Sequence, residues 1–183
     1  PVRALLYRQD SRSEQLSDQY RLADRATPFP SQRFRSFEFG QESRGLELTG
    51  QWRGEWAGLS HWQVFGVDWV RHDYRGLRNG SETNLVTGAT TNVILGEVFP
   101  LRDFPNSTAR EVGVFWQDEI SLGKGWAIVP GVRWESYELD ANPDAIWTAD
   151  NPTVQPASTD SDAFTPKLGL RWRGDRLTVY GQY

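Results

Sequence analysis

The chain has 183 residues, with 20 Lys and Arg against 24 Asp and Glu for a net charge of −4. That length suits one domain or a piece of a larger one, and the acidic balance argues against nucleic acid, whose phosphates need a basic face. No cysteine is present, which excludes disulfide frameworks, thiolate zinc sites and cysteine nucleophiles, and no apolar run approaches the roughly 18–20 residues of a membrane-spanning helix.

Nine Trp, nine Phe and six Tyr make 13% of the chain aromatic, yet 24% is charged and the mean hydropathy is only −0.61. A transmembrane β-barrel reconciles these figures, because only alternate strand residues meet lipid while the lumen side stays polar and aromatics girdle both interfaces. A soluble aromatic-rich β-domain has the same composition. There is no signal pattern at the start, and the chain runs from Pro1 to Tyr183 in mid-pattern, as an internal piece of a longer protein would.

Strand periodicity dominates from one end to the other. The first predicted strand is Val2–Arg12. The second is Arg33–Arg53, in which Leu46, Leu48, Gly50 and Trp52 oppose Glu47, Thr49, Gln51 and Arg53 with a period of two, which no helix produces. His61–Arg75 follows. Glu111–Leu122 sets Val112, Val114, Trp116, Ile120 and Leu122 against Glu111, Gln117, Glu119 and Ser121, with Asp118 and Phe115 on the wrong faces. In Trp126–Tyr137, Trp126, Ile128, Val132 and Trp134 oppose Arg133, Glu135 and Tyr137; in Phe164–Arg173, Phe164, Leu168, Leu170 and Trp172 oppose Thr165, Lys167 and Arg171. Leu177–Tyr183 opens a seventh strand. No segment of helical length has a 3.6-residue period.

Connections alternate in length. Gly54–Ser60, Gly123–Gly125 and Gly174–Asp175 are short and contain glycine, whereas Ser13–Gln32, Gly76–Arg110 and Asp140–Ala163 are long and polar. Short turns at one end and long loops at the other describe an outer-membrane barrel. Long unstructured loops are uncommon in a compact sandwich. Trp52, Trp116, Trp126, Trp134 and Trp172 all fall on apolar faces, where indole can anchor at an interface. The polar set Glu47, Gln51, Glu111, Glu119, Arg133, Glu135, Lys167 and Arg171 is expected to face a lumen.

Little points to chemistry. His61 and His72 are 11 positions apart, so on one strand they face oppositely and lie about 36 Å apart, too far to share a metal. Asp140-Ala-Asn142-Pro-Asp144 begins like an EF-hand loop, but Ala145 stands where Gly is needed and Asn151 where a bidentate Glu is needed. No nucleophile elbow, phosphate loop or HExxH is present, and nothing supports an enzyme. The longest connection combines Arg78, Arg102 and Asp103 with Phe104. With His72 and Tyr74 on the adjoining strand these form the candidate ligand-binding set, since Arg offers bidentate contacts to carboxylates and loops on rigid scaffolds commonly carry binding residues. A solvated surface histidine is the simpler reading of His72. Two other readings fit the pattern: a passive outer-membrane channel, and a soluble carbohydrate-binding β-sandwich using Trp147 and Tyr74 as sugar platforms.

Four segments occur in an order that resembles TonB-dependent outer-membrane receptors: Phe115-Trp116-Gln117-Asp118-Glu119, Pro130-Gly131-Val132-Arg133-Trp134, Pro166-Lys167-Leu168-Gly169-Leu170 and Leu177-Thr178-Val179-Tyr180. Phe99-Pro100-Leu101-Arg102-Asp103-Phe104-Pro105-Asn106-Ser107 is similar to the branch that takes up haem or takes iron from haem proteins. No position here matches that branch's FRAP and NPxL motifs. The resemblance implies a 22-stranded barrel in the bacterial outer membrane, closed by an N-terminal plug. It imports an iron compound, siderophore or haem, as cargo rather than cofactor. Implied partners are outer-membrane lipid, TonB through an N-terminal region, and an iron-bearing small molecule or haem protein. Residues 1–183 would then be a partial all-β barrel domain of about seven consecutive antiparallel strands, without plug or remaining strands.

Overall fold

The computed structural model describes residues 1–183. Seven long or edge strands form one antiparallel sheet in chain order: β1 (Val2–Arg21), β2 (Ser31–Trp56), β3 (Leu59–Asn84), β7 (Asn106–Gly123), β8 (Trp126–Asn142), β9 (Thr159–Arg173) and β10 (Thr178–Gln182). Three two-residue strands lie in the connection between β3 and β7. β4 (Thr90–Thr91) pairs with β3, while β5 (Val93–Ile94) and β6 (Glu97–Val98) form a small hairpin. The single helix, α1 (Ala145–Asp150), lies between β8 and β9. β1 pairs only with β2 and β10 only with β9, so each leaves one edge open.

Two of the short connections are tighter than predicted, while the third, residues 174–177, is longer than the expected Gly174–Asp175. Ala57 and Gly58 link β2 to β3 with φ of 51° and 76°, the pair of positive values that matches a two-residue hairpin turn to the twist of its strands. At the β7–β8 turn a Cβ on Gly125 would lie 2.1 Å from the Arg173 carbonyl oxygen, so only glycine fits there.

Directly paired residues of adjacent strands share a face, so the register assigns both walls. One carries Leu46, Leu48 and Trp52 of β2, Phe65, Val67 and Trp69 of β3, Val112, Val114 and Trp116 of β7, Ile128, Val132 and Trp134 of β8, and Phe164, Leu168, Leu170 and Trp172 of β9. All eight residues of the predicted lumen set fall on the other wall. Only 20 of 183 residues are buried, and apolar-wall side chains such as Leu6 and Phe164 are 78% and 69% exposed. A sandwich would cover that wall with a second sheet. These residues leave it exposed, and their one other sheet, the β5–β6 hairpin, packs against the opposite wall at Gly80, an arrangement that fits a lipid-facing wall and not a sandwich. Trp147, its proposed sugar platform, is buried in α1.

Strands run well past their predicted ends. The connections expected at Ser13–Gln32, Gly76–Arg110 and Asp140–Ala163 shrink to residues 22–30, 85–105 and 143–158. The added strand has polar residues on both faces, as in Ser13-Glu-Gln and Ser17-Asp-Gln of β1. Outside a bilayer neither face has to be apolar, so ladder hydrogen bonds persist where hydrophobic alternation has stopped. The six-residue α1 has about one and a half turns, too few for a 3.6 period to register.

The residues that broke the alternation have partners. Asp118, on the apolar wall, accepts from Gln63 at 3.2 Å and lies 2.6 Å from His61 Nδ1, with all of this near the short-turn end of the sheet. Pairing lets two polar groups stay buried on that wall. Phe115, on the polar wall, lies under the Arg133 guanidinium at 5.9 Å. His61 and His72 are on opposite faces, as their spacing requires.

Candidate ligand-binding site

At the long-loop end the polar wall changes character. Phe37 and Phe39 of β2, Tyr74 of β3 and Leu139 of β8 all face inward there and line a cleft of about 470 Å3. Phe39 and Tyr74 stack with ring centres 6.3 Å apart. Phe104, 79% exposed, and Pro156 and Ala157 of the β8–β9 connection also line the cleft.

The β3–β7 connection forms the cleft rim because it folds onto the sheet as an ordered unit. Ile94, Phe99 and Leu101 make a small core of their own. It rests on Gly80 of β3, where a Cβ would lie 3.0 Å from Ile94 Cδ1. Arg78 pins the unit down. Its backbone exchanges two hydrogen bonds with Leu101, at 2.9 and 3.0 Å. Its guanidinium donates to Asp103 at 2.8 Å, lies 3.6 Å from Glu97 and sits 5.7 Å above the Phe99 ring. Nearby, Glu82 accepts from Ser31 Oγ at 2.7 Å and from Arg33 at 3.0 and 3.1 Å, tying β2 to β3. Burial pushes the Glu82 carboxyl up, but these donors outweigh it and hold the group below the usual carboxylate range.

Of the six predicted ligand residues, Tyr74, Arg78, Asp103 and Phe104 line this cleft together. His72 lies one inward position deeper, its ring 5.9 Å from Tyr74, with Nδ1 2.8 Å from Ser43 Oγ; it is half-buried rather than solvated. Arg102 turns away to Asp144 and the Gly76 carbonyl, and so fastens the β3–β7 connection to α1. Phe37, Phe39 and Leu139 were missed. Their signal is a change of parity within one strand, since Phe37 and Phe39 are odd-numbered while Leu46, Leu48 and Trp52 are even. The apolar positions of β2 thus cross from the inner wall to the lipid wall as the strand enters the bilayer.

Asp144 is the second fastening. It caps α1 by accepting from the Trp147 N–H at 3.0 Å and accepts from Arg102 Nε at 2.9 Å. The Arg102 bond is the main reason its carboxyl lies below the usual range; burial opposes it and the Trp147 N–H assists. A carboxyl lowered by folding stabilises fully above its unfolded value of about 3.9 and loses that contribution as pH falls through the lower folded value. The Asp144 anchor is therefore expected to hold at neutral pH and release only in strong acid. Asp144→Ala should cost the helix about 1 kcal/mol, read as faster amide exchange over Ala145–Asp150 with none at the β7–β8 turn. Unchanged exchange in α1 would refute the anchor.

Below the cleft, cations of the inner wall have polar partners. Arg133 donates to Asp68 at 3.0 and 3.1 Å and to Glu135 at 2.5 Å, Arg171 to Glu119 at 2.5 and 2.7 Å, and Lys167 to Gln117 at 2.6 Å. No group of three or more His, Asp or Glu is placed to hold a metal ion.

A family model described as TonB dependent receptor-like, beta-barrel matches residues 2–183. Among solved structures the chain is similar to the ferric citrate transporter FecA in its unliganded form, with 18% identity and a TM-score of 0.59 over 98% of this chain and 24% of that one. It is also similar to the copper transporter OprC, with 15% identity and a TM-score of 0.61 over 99% of this chain and 26% of that one. The ferric preacinetobactin receptor BauA of Acinetobacter baumannii gives 14% identity and a TM-score of 0.55 over 99% and 27%. The chain thus spans about a quarter of each of these structures. No curated protein matches the sequence.

Proposed function

Since the chain belongs to the TonB-dependent receptor β-barrel family, a family of bacterial outer-membrane transport proteins, we propose that its cleft receives an iron chelate with an aromatic or extended apolar portion for uptake energised through TonB. The single observation carrying this reading is the grouping of Phe37, Phe39, Tyr74, Leu139 and Phe104 around one opening on the loop side of the inner wall. Rings there offer stacking faces to a planar ligand, and Arg78 and Asp103 supply a polar rim. Two of the similar structures are a ferric citrate transporter and a ferric preacinetobactin receptor, which supports iron cargo. Catecholate-type chelates and haem both have the flat apolar surface the cleft favours, and ferric citrate lacks it. Family membership also favours a receptor over a passive channel. TonB would engage the receptor through a segment outside these residues.

The test uses the full-length receptor with Phe39→Ala, Tyr74→Ala and Phe104→Ala combined. Binding is titrated with a ferric catecholate, haemin and ferric citrate. At about 0.5–1.5 kcal/mol per lost aromatic contact, affinity for the ring-bearing ligand is expected to fall about tenfold or more. Tight binding of ferric citrate alone, or unchanged affinity in the variant, would overturn the reading.

A further inference from the structure

The lipid wall carries a feature that ligand capture does not use. Just beyond the apolar band, on the long-loop side, Arg8, Arg44, Arg71 and Arg110 stand opposite one another on β1, β2, β3 and β7. At about 4.8 Å between strands the row spans about 14 Å. The next outward-facing positions toward the short turns are Leu6, Leu46, Trp69 and Val112, and those toward the loops are Asp10, Glu42, Asp73 and Thr108. The order from the bilayer outward is therefore apolar, cationic, then acidic.

Like charges directly opposite on paired strands are destabilising, and this row contains three such pairs. Acids one step farther out relieve part of the cost. Arg8 lies 3.2 Å from Glu42, Arg71 2.9 Å from Asp73 and Arg110 2.6 Å from Asp140, while Arg44 pairs with Glu42. These pairs hold the guanidinium groups without consuming them. Their side chains remain 38–59% exposed, and the hydrogen bonds to acids use Nε of Arg44, Nε and Nη2 of Arg71 and Nη1 of Arg110, leaving part of each fork exposed. The row ends at β7, since Arg110 is followed by Glu138 on β8 and Asp160 on β9.

We propose that this arginine row binds the phosphates of an outer-leaflet lipid with a multiply phosphorylated head group. The depth is that of head-group phosphates, because the row borders the apolar band on the side of the long loops, which face outward in such barrels. Guanidinium matches phosphate bidentately, and a run of four cations about 14 Å long reaches two phosphates of one head group. The acyl chains of the same lipid would lie along Leu6, Leu46 and Trp69.

The full-length receptor is reconstituted in phosphatidylcholine vesicles doped with diphosphoryl lipid A or with its fully dephosphorylated counterpart. It is then extracted, and retained lipid is counted by native mass spectrometry. The wild type is expected to retain the phosphorylated lipid at least about tenfold better, about 1.4 kcal/mol, and Arg44→Gln with Arg71→Gln should remove the preference. Arg53→Gln, on the inner wall, should keep it. Equal retention of both lipids by the wild type would overturn the proposal without any variant, as would an unchanged preference in the double variant. Release of the lipid by inorganic phosphate at comparable concentration would mean the row takes free phosphate instead, and would also overturn it.

Discussion

Replacing residues 85–105 by a short Gly/Ser linker in the full-length receptor is expected to leave insertion normal while lowering ligand affinity and iron-source uptake tenfold or more. The connection holds the Ile94–Phe99–Leu101 core and presents Asp103 and Phe104 to the cleft. Burial of each such apolar side chain stabilises by about 1.5–3 kcal/mol, so the unit docks as a piece and is lost as a piece. The limits of the excision matter. Cutting as far as Asn79–Thr108, within the predicted connection Gly76–Arg110, would remove residues of β3 that pair with β2 and residues of β7 that pair with β8, and would confound insertion with binding. Surface level and uptake are measured separately. Unchanged affinity in a correctly inserted variant would remove this connection from the site.

The second large effect concerns the wall. Val132 lies between Trp116 and Pro166 in the middle of the apolar band. Arg there should cost about 2–4 kcal/mol, the penalty for a cation near the bilayer midplane, and Leu168→Arg should behave similarly. An inner-wall control must not stand directly opposite a cation. Thr165 stands directly opposite Arg133, so Arg there would add repulsion of its own. Gln51 faces inward, is exposed and is paired with Val64; Gln51→Arg should stay within about 0.5 kcal/mol of the parent. Reversible unfolding of the full-length receptor in lipid vesicles reads the difference. A larger cost at Gln51 than at Val132 would mean the two walls are assigned the wrong way round, and equal costs would mean that Val132 does not face lipid.

Where the chain crosses lipid, local sequence was enough. The bilayer demands an apolar residue at every second position, so Leu46–Trp52, Val112–Trp116 and Phe164–Trp172 announce both strand and face, and the five tryptophans fall where the register places them. The four ordered motifs carried the family. Beyond the membrane this demand lapses, which is why Ser13–Arg21 of β1 and residues 76–84 of β3 read as loop although they are fully paired strand.

Half the candidate site was legible, because Tyr74, Arg78, Asp103 and Phe104 lie in or beside one connection. Phe37, Phe39 and Leu139 were not, for they come from other strands and meet these residues only through the register. Arg102 looked like Arg78 in sequence, and its bonds to Asp144 and Gly76 set it apart only once α1 was in place. The arginine row is the extreme case. Arg8, Arg44, Arg71 and Arg110 are 27 to 39 positions apart or more and share no local pattern. Alternation along a strand is a local consequence of backbone geometry and solvent, whereas the residue that stands opposite on the next strand depends on turn lengths and the pairing of the whole sheet.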